Sequence, residues 1–180
     1  MTVFLQQHKR QKGASILFNR RPKKHESEGT DIYKRLMIFS DGGARGNPGP
    51  AAIAFLILLE NGQILMIKSR YIGLRTNNQA EYEALIAALE SVAVLNAEEV
   101  TCHLDSELVA KQLTGEYTVK NRELRKMWNK VQELKKHFKK VSFINVPRTN
   151  NQIQKVDKLV NETLDDWRCL PRNPFFFLCF

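Results

Sequence analysis

Hydrophobic and polar positions along the chain change their period twice, and those changes divide it into elements. Leu36-Met37-Ile38-Phe39, Ala51 to Leu59 and Ile64 to Tyr71 are short apolar runs, separated by the turn residues Gly42 to Pro50 and by Asn61-Gly62. Runs of this length between Gly, Pro and Asn clusters predict three successive strands. Asn61 and Gly62 both tolerate positive φ, so a two-residue hairpin should make the second and third strands antiparallel.

After Gly73 the spacing lengthens. Ala80, Ala84, Leu85, Ala88, Leu89, Val92 and Leu95 fall on one helical stripe, which Asn77 or Asn78 would cap. Val100 to Leu104 reads as a fourth strand, Asp105-Ser106 as the opening of a short helix through Leu113, and Gly115 as its stop. Leu124, Met127, Val131, Leu134 and Phe138 predict a longer amphipathic helix. Val141 to Val146 is a fifth strand closed by Pro147, and Val156, Leu159, Val160, Thr163, Leu164 and Trp167 mark a last helix. The order βββαβααβα predicts an α/β fold. Its five-stranded mixed sheet has three antiparallel strands followed by two parallel ones, reached through right-handed helical crossovers.

Composition changes this picture mainly at the ends. A chain of 180 residues, 43% hydrophobic, suits one well-buried core. The net charge of +9 is uneven: residues 1–35 hold nine Lys or Arg against three Asp or Glu, a net of +6. Residues 1–35 therefore read as a disordered basic arm, 36–167 as the folded domain, and 168–180, closing on Phe175-Phe176-Phe177-Leu178-Cys179-Phe180, as an apolar extension. The basic balance favours a polyanionic partner such as nucleic acid. Cys102, Cys169 and Cys179 are odd in number and lack CxxC spacing, which argues against a disulfide framework and a zinc site. No apolar run approaches the roughly 20 residues of a membrane span. A cytoplasmic monomer without membrane contact is the expectation.

Candidate chemistry lies in the acids. Asp41 follows the first strand and precedes Gly42-Gly43, and Asp105 follows the fourth strand in the same way. Strand-end aspartates meet if their strands are neighbours, the usual placement for a site on an open α/β sheet. Glu81, near the start of one helix, and Asp157, near the start of another, could face the same end. Converging carboxylates repel unless a proton or a cation intervenes. Such hard oxygen ligands suit Mg²⁺ or Mn²⁺, and two ions about 4 Å apart support phosphodiester hydrolysis. Glu83, two residues from Glu81, falls on another helix face and is expected to be solvated.

The segments Ser40-Asp41-Gly42-Gly43-Ala44-Arg45-Gly46-Asn47-Pro48-Gly49-Pro50, Thr76-Asn77-Asn78-Gln79-Ala80-Glu81-Tyr82 and Leu104-Asp105-Ser106 resemble the motifs of ribonuclease H type 1. The resemblance runs over about residues 36–167, through Val146-Pro147-Arg148 and Val156-Asp157-Lys158-Leu159-Val160-Asn161. It implies a ribonuclease H-like fold and an endoribonuclease that cuts the RNA strand of RNA/DNA hybrids, with other RNA duplexes as further substrates. Two Mg²⁺ ions would be held by Asp41, Glu81, Asp105 and Asp157. It also implies substrate contacts from Gly42, Gly43, Asn47, Thr76, Asn77, Asn78, Gln79 and Arg148. The turn glycines would let backbone groups approach the RNA 2′-hydroxyls. The chain departs from the pattern in three places: it lacks the flexible-loop histidine, has a longer spacing from Arg148 to Asp157, and has no Trp-rich basic protrusion after the third acidic motif.

Overall fold

The computed structural model describes residues 33–168. The chain order is β1 (Arg35–Ala44), β2 (Gly49–Leu59), β3 (Ile64–Arg75), α1 (Asn77–Ala93), β4 (Glu99–Leu104), α2 (Glu107–Thr114), α3 (Arg122–Lys135), β5 (Lys140–Asn145) and α4 (Asn151–Arg168). The basic arm expected over 1–35 lies outside the described residues except for Tyr33 to Arg35, which belong to the fold. Tyr33 packs against the core, and its carbonyl accepts from the Glu98 N–H at 3.0 Å. The apolar extension after Arg168 lies outside the described residues.

The five strands form one sheet in the order β3-β2-β1-β4-β5. β1 pairs antiparallel with β2, and β2 antiparallel with β3, while β1–β4 and β4–β5 are parallel. This is the mixed sheet that the run order predicts. β2 is buried on both faces, which explains its unbroken apolar run. Phe55 and Ile57 face a core shared with Tyr82, Leu85 and Leu89 of α1 and with Val131 and Leu134 of α3. Ala54, Leu56 and Leu58 face the opposite way, against Ile153, Val156, Val160 and Leu164 of α4. Among the described residues, no helix is long and apolar enough to cross a membrane.

Three local expectations need correction. Asp41 does not follow the first strand but lies within it: β1 runs on through Gly42 and Gly43 to Ala44, paired with β2, and β2 begins at Gly49, so the turn is confined to residues 45–48. The β2–β3 hairpin is not a two-residue turn: Gly62 has φ +81°, and its N–H reaches the Leu59 carbonyl at 2.9 Å, so the loop spans residues 60–62. Asn61 keeps negative φ because its side chain accepts from the Gln63 N–H at 2.9 Å, a local bond that stabilises the wider turn. The N-cap of α1 is Thr76, not Asn77 or Asn78. Thr76 and Gln79 form a reciprocal capping box that satisfies two helix-end donors.

The end of the sheet that carries the candidate acids is set by where pairing stops. The β1–β4 ladder ends at Phe39–His103, two positions short of Asp41 and Asp105, while β1 continues beside β2 to Ala44–Ala51. The carboxyl ends of β1 and β4 therefore diverge and open a cleft. Helix α1 is drawn into that end by Gly42, where a Cβ would stand 2.2 Å from the Ala80 carbonyl carbon and 2.6 Å from the Glu81 nitrogen. Gly42→Ala is expected to cost about 2–3 kcal/mol by overpacking backbone against backbone. Urea unfolding measures this, and a loss below about 0.5 kcal/mol would mean that the contact yields easily.

Candidate active site

Asp41, Glu81 and Asp105 converge at the cleft, with one carboxylate oxygen of each within 4.8 Å of the other two. Three different elements supply them: β1, the second turn of α1, and the residue that leaves β4. Asp41 and Glu81 are buried, at 7% and 5% exposure. Asp105 Oδ2 lies 3.2 Å from Nε of Arg148, whereas Asp105 Oδ1 is buried with no hydrogen-bond partner.

This arrangement is electrostatically frustrated. Burial, then the charges of Asp105 and Asp157, push the Asp41 carboxyl up to about 7, against weaker help from the Gly42 N–H and Arg148. Burial, then Asp41 and Asp105, hold Glu81 well above the ordinary carboxylate range. Asp105 is raised by burial and partly relieved by Arg148. The Arg148 side chain is 83% exposed, so solvent screens its pull. Three buried carboxylates and an unpartnered oxygen call for protons or for a cation. The donor set is all oxygen, which fits a hard divalent ion and is poorly suited to soft metals.

Asp157 is placed differently. It lies on the second turn of α4, exposed and outside the three-carboxylate group, yet close enough for its charge to raise Asp41 and Asp105. Asp165 pairs with Arg45 at 2.6 Å. Glu83 is not solvated as expected: it is half-buried, and Arg75, at the end of β3, reaches it at 2.5 Å.

The remaining candidates fall into two groups. Asn47, Thr76, Asn78 and Gln79 line one groove of about 220 Å³ with Asn121, Glu123 and Leu124. Asn77 is a strut: its side chain accepts from the Ala44 N–H at 3.3 Å, and its own N–H donates to Asn47 Oδ1 at 3.2 Å. Gly42 and Gly43 make close approaches to protein, Gly42 to α1 and Gly43 to Val160 of α4. Arg148 stands over Asp105. Sequence reasoning missed Asn121, which caps α3 by accepting from the Glu123 and Leu124 N–H groups at 2.9 and 3.0 Å. Its position just ahead of the amphipathic run is an N-cap signal that could have found it.

A mixed five-stranded sheet in this order, with an acidic centre where β1 and β4 part, defines the ribonuclease H-like class of α/β domain. The family model described as "Reverse transcriptase-like" matches residues 39–163. Ribonuclease HI of Halobacterium salinarum is 42% identical over 132 residues, 73% of this chain and 65% of that protein. The crystal structure of RNase H1 from the same archaeon matches at 42% identity with TM-score 0.70, covering 73% of this chain and 98% of that one. LC11-RNase H1, solved in complex with an RNA/DNA hybrid, matches at 42% identity with TM-score 0.69, covering 73% and 97%. The chain belongs to the reverse transcriptase-like family and, within it, to the ribonuclease H type 1 proteins. It spans 65% of the length of the halobacterial curated relative and 36% of mycobacterial ones.

The raised acids predict how the cation-free protein responds to pH. A carboxyl whose folded pKa exceeds its unfolded value adds stability at low pH and loses it as pH rises through the folded value. For Asp41 that window runs from its ordinary 3.8 to about 7. In chelator, stability should fall across this window, and Asp41→Asn should gain about 2–4 kcal/mol at pH 8 but nothing near pH 4. Thermal unfolding at both pH values tests this; equal midpoints for the variant and the parent at pH 8 would contradict it.

Proposed function

We propose that this chain is a metal-dependent endoribonuclease that hydrolyses the RNA strand of RNA/DNA hybrids. The observation that carries the reading is the convergence of Asp41, Glu81 and Asp105 within 4.8 Å, with Asp105 Oδ1 buried and unpartnered. The hybrid bound by LC11-RNase H1 supports the substrate class. Two Mg²⁺ ions, replaceable by Mn²⁺, are the proposed cofactor, held by the three buried acids with Asp157 completing the set from α4. When bound, such ions supply an activated water and neutralise charge at the scissile phosphate.

The chain's own residues bring the substrate to that point. Burial of Asp41 and Glu81 keeps the site in a low dielectric, where ion–carboxylate attraction is strong. Arg148 presents a solvent-exposed cation beside Asp105, suited to draw a phosphate toward the cleft. The groove of Asn47, Thr76, Asn78, Gln79 and Asn121 offers neutral donors and acceptors at the start of α3, which suit a sugar–phosphate backbone. Asn77 holds the β1–β2 turn against α1, so Asn47 and Asn78 keep a fixed separation. A duplex spanning both the cleft and the groove would be gripped on two strands.

The test is cleavage of labelled RNA/DNA hybrid, RNA duplex, DNA duplex and single strands in Mg²⁺, Mn²⁺ or chelator. Hybrid RNA should be cut only with metal, and Asp105→Asn should lower kcat by roughly 100-fold or more. Cutting of RNA duplex at a similar rate would broaden the substrate class. A folded protein that binds hybrid and cuts nothing would leave a noncatalytic binding module.

A further inference from the structure

We propose that Arg45 is a positioning residue that sets where α4 presents Asp157 to the carboxylate cluster, an inference that rests on the metal-dependent reading above. Arg45 follows Asp41 by four residues and begins the turn between β1 and β2, which its N–H closes on the Pro50 carbonyl at 2.8 Å. Its guanidinium turns away from the cleft toward α4. Nη2 lies 2.6 Å from Asp165 Oδ1 and donates to the Asn161 carbonyl at 3.5 Å, while Nη1 is buried without a partner. Because Nη1 is packed inward, this arginine is poorly placed to reach a ligand.

What it grips is the side of α4 that carries Asp157. Asp157, Asn161 and Asp165 follow one another at four-residue steps, which places them on one side of the helix. Asn161 binds the same stripe together by donating from Nδ2 to the Asp157 carbonyl at 3.0 Å. The apolar face of α4, through Ile153, Val156, Val160 and Leu164, keeps the helix on the sheet. Apolar contact is nondirectional, so by itself it fixes rotation and sliding only loosely. A charge-assisted bond to one side of the helix is directional and supplies the missing constraint. Close by, a Cβ on Gly43 would come within 3.1 Å of Val160 Cγ1, so the end of β1 and α4 are already in tight contact. Asp157 is the one acid of the four outside the buried group, and its reach depends on how α4 is set. Asp165, two turns further along, thereby gains a role without holding an ion.

The experiment uses the full chain and the variants Arg45→Met, Arg45→Lys, Asp165→Asn and Asp166→Asn, each also in an Asp157→Asn background. Mn²⁺ affinity is measured by calorimetry without nucleic acid, and kcat and KM on hybrid separately. Arg45→Met and Asp165→Asn should each weaken Mn²⁺ binding about three- to tenfold, with kcat falling in step and KM within about twofold. Arg45→Lys should recover part of the loss, and Asp166→Asn should behave as the parent. In the Asp157→Asn background the first two changes should have no further effect on Mn²⁺. The same loss in that background, or unchanged affinity in the parent, would overturn the proposal. An effect on KM alone would overturn it too, since Arg45 would then be a contact to nucleic acid. If the parent binds Mn²⁺ and cuts nothing, the nuclease reading fails, and the Mn²⁺ measurements still decide the role of Arg45.

Discussion

The contact on which the site depends is the meeting of two backbones at Gly42. Strand β1 and helix α1 come so close there that no side chain fits between them, with 2.2 Å from a hypothetical Cβ to the Ala80 carbonyl carbon. This is closer than helix and sheet can pack through side chains, which hold such layers about 10 Å apart. Direct backbone contact draws the second turn of α1 over the end of β1, and Glu81 arrives beside Asp41. The Thr76–Gln79 capping box fixes where α1 begins, so the residue that arrives is Glu81 and not a neighbour one position away. The Arg75–Glu83 pair ties the same helix start to the end of β3.

Such placement costs stability, and the fold is organised to bear that cost. Asp41 near 7 and Glu81 well above the carboxylate range mean that ionising the site opposes folding. The opposing stabilisation comes from the two apolar layers on either side of β2 and from a buried polar chain between helices. In that chain Tyr82 donates to Gln112 Oε1 at 2.8 Å, and Trp128 Nε1 donates to the Gln112 carbonyl at 3.1 Å. Tyr82 follows Glu81 directly, so the bonds that lock α1 onto α2 and α3 also hold the acid against its repulsion. On the proposed metal-dependent reading, what destabilises the cation-free fold adds to the affinity for the ion.

Much of this was legible in the sequence because it is local. Periodicity located the five strands and four helices of the described residues, and the position of Asp41 and Asp105 at the close of apolar runs pointed to the end of the sheet where the acids gather, although Asp41 lies inside β1 rather than after it. What stayed hidden depends on distant partners or on competition between local options. The Thr76 cap required weighing Thr against two asparagines, and Gln79 decided it by completing the box. The partners of Glu83 and Asp165 are Arg75 and Arg45, the second far away in sequence, so helix position alone assigned those acids wrongly or gave them no role. Asn61-Gly62 invited a tighter turn than the one formed, because the Asn61 side chain satisfies the Gln63 N–H only in the wider loop.

The absent protrusion is where the two kinds of information meet. The segment from Gly115 to Asn121 is short, and its ends are pinned. Gly115 takes φ +88° to end α2, Tyr117 donates its N–H to the Lys111 carbonyl at 3.0 Å, and Asn121 caps α3. Arg125 reaches back to the Val119 carbonyl at 2.7 Å, and its guanidinium lies over the Trp128 ring. Several basic side chains of α3 and of the turn after it are engaged as well: Lys126 with Glu123 and Lys130 with Glu90 on the helix, Lys136 with Glu133 at its C-cap, and Lys139 with Glu98 beyond it. The groove beside α3 is built mainly from amides and a hydroxyl at fixed element ends, with the carboxylate of Glu123, paired with Lys126, among its lining. On the proposed reading, this face of the chain holds its substrate by the geometry of Asn47, Thr76, Asn78 and Asn121 rather than by a basic protrusion after the third acidic motif. On that reading shape discriminates between duplexes, since a groove without a cation in its lining gains little from phosphates that do not fit it.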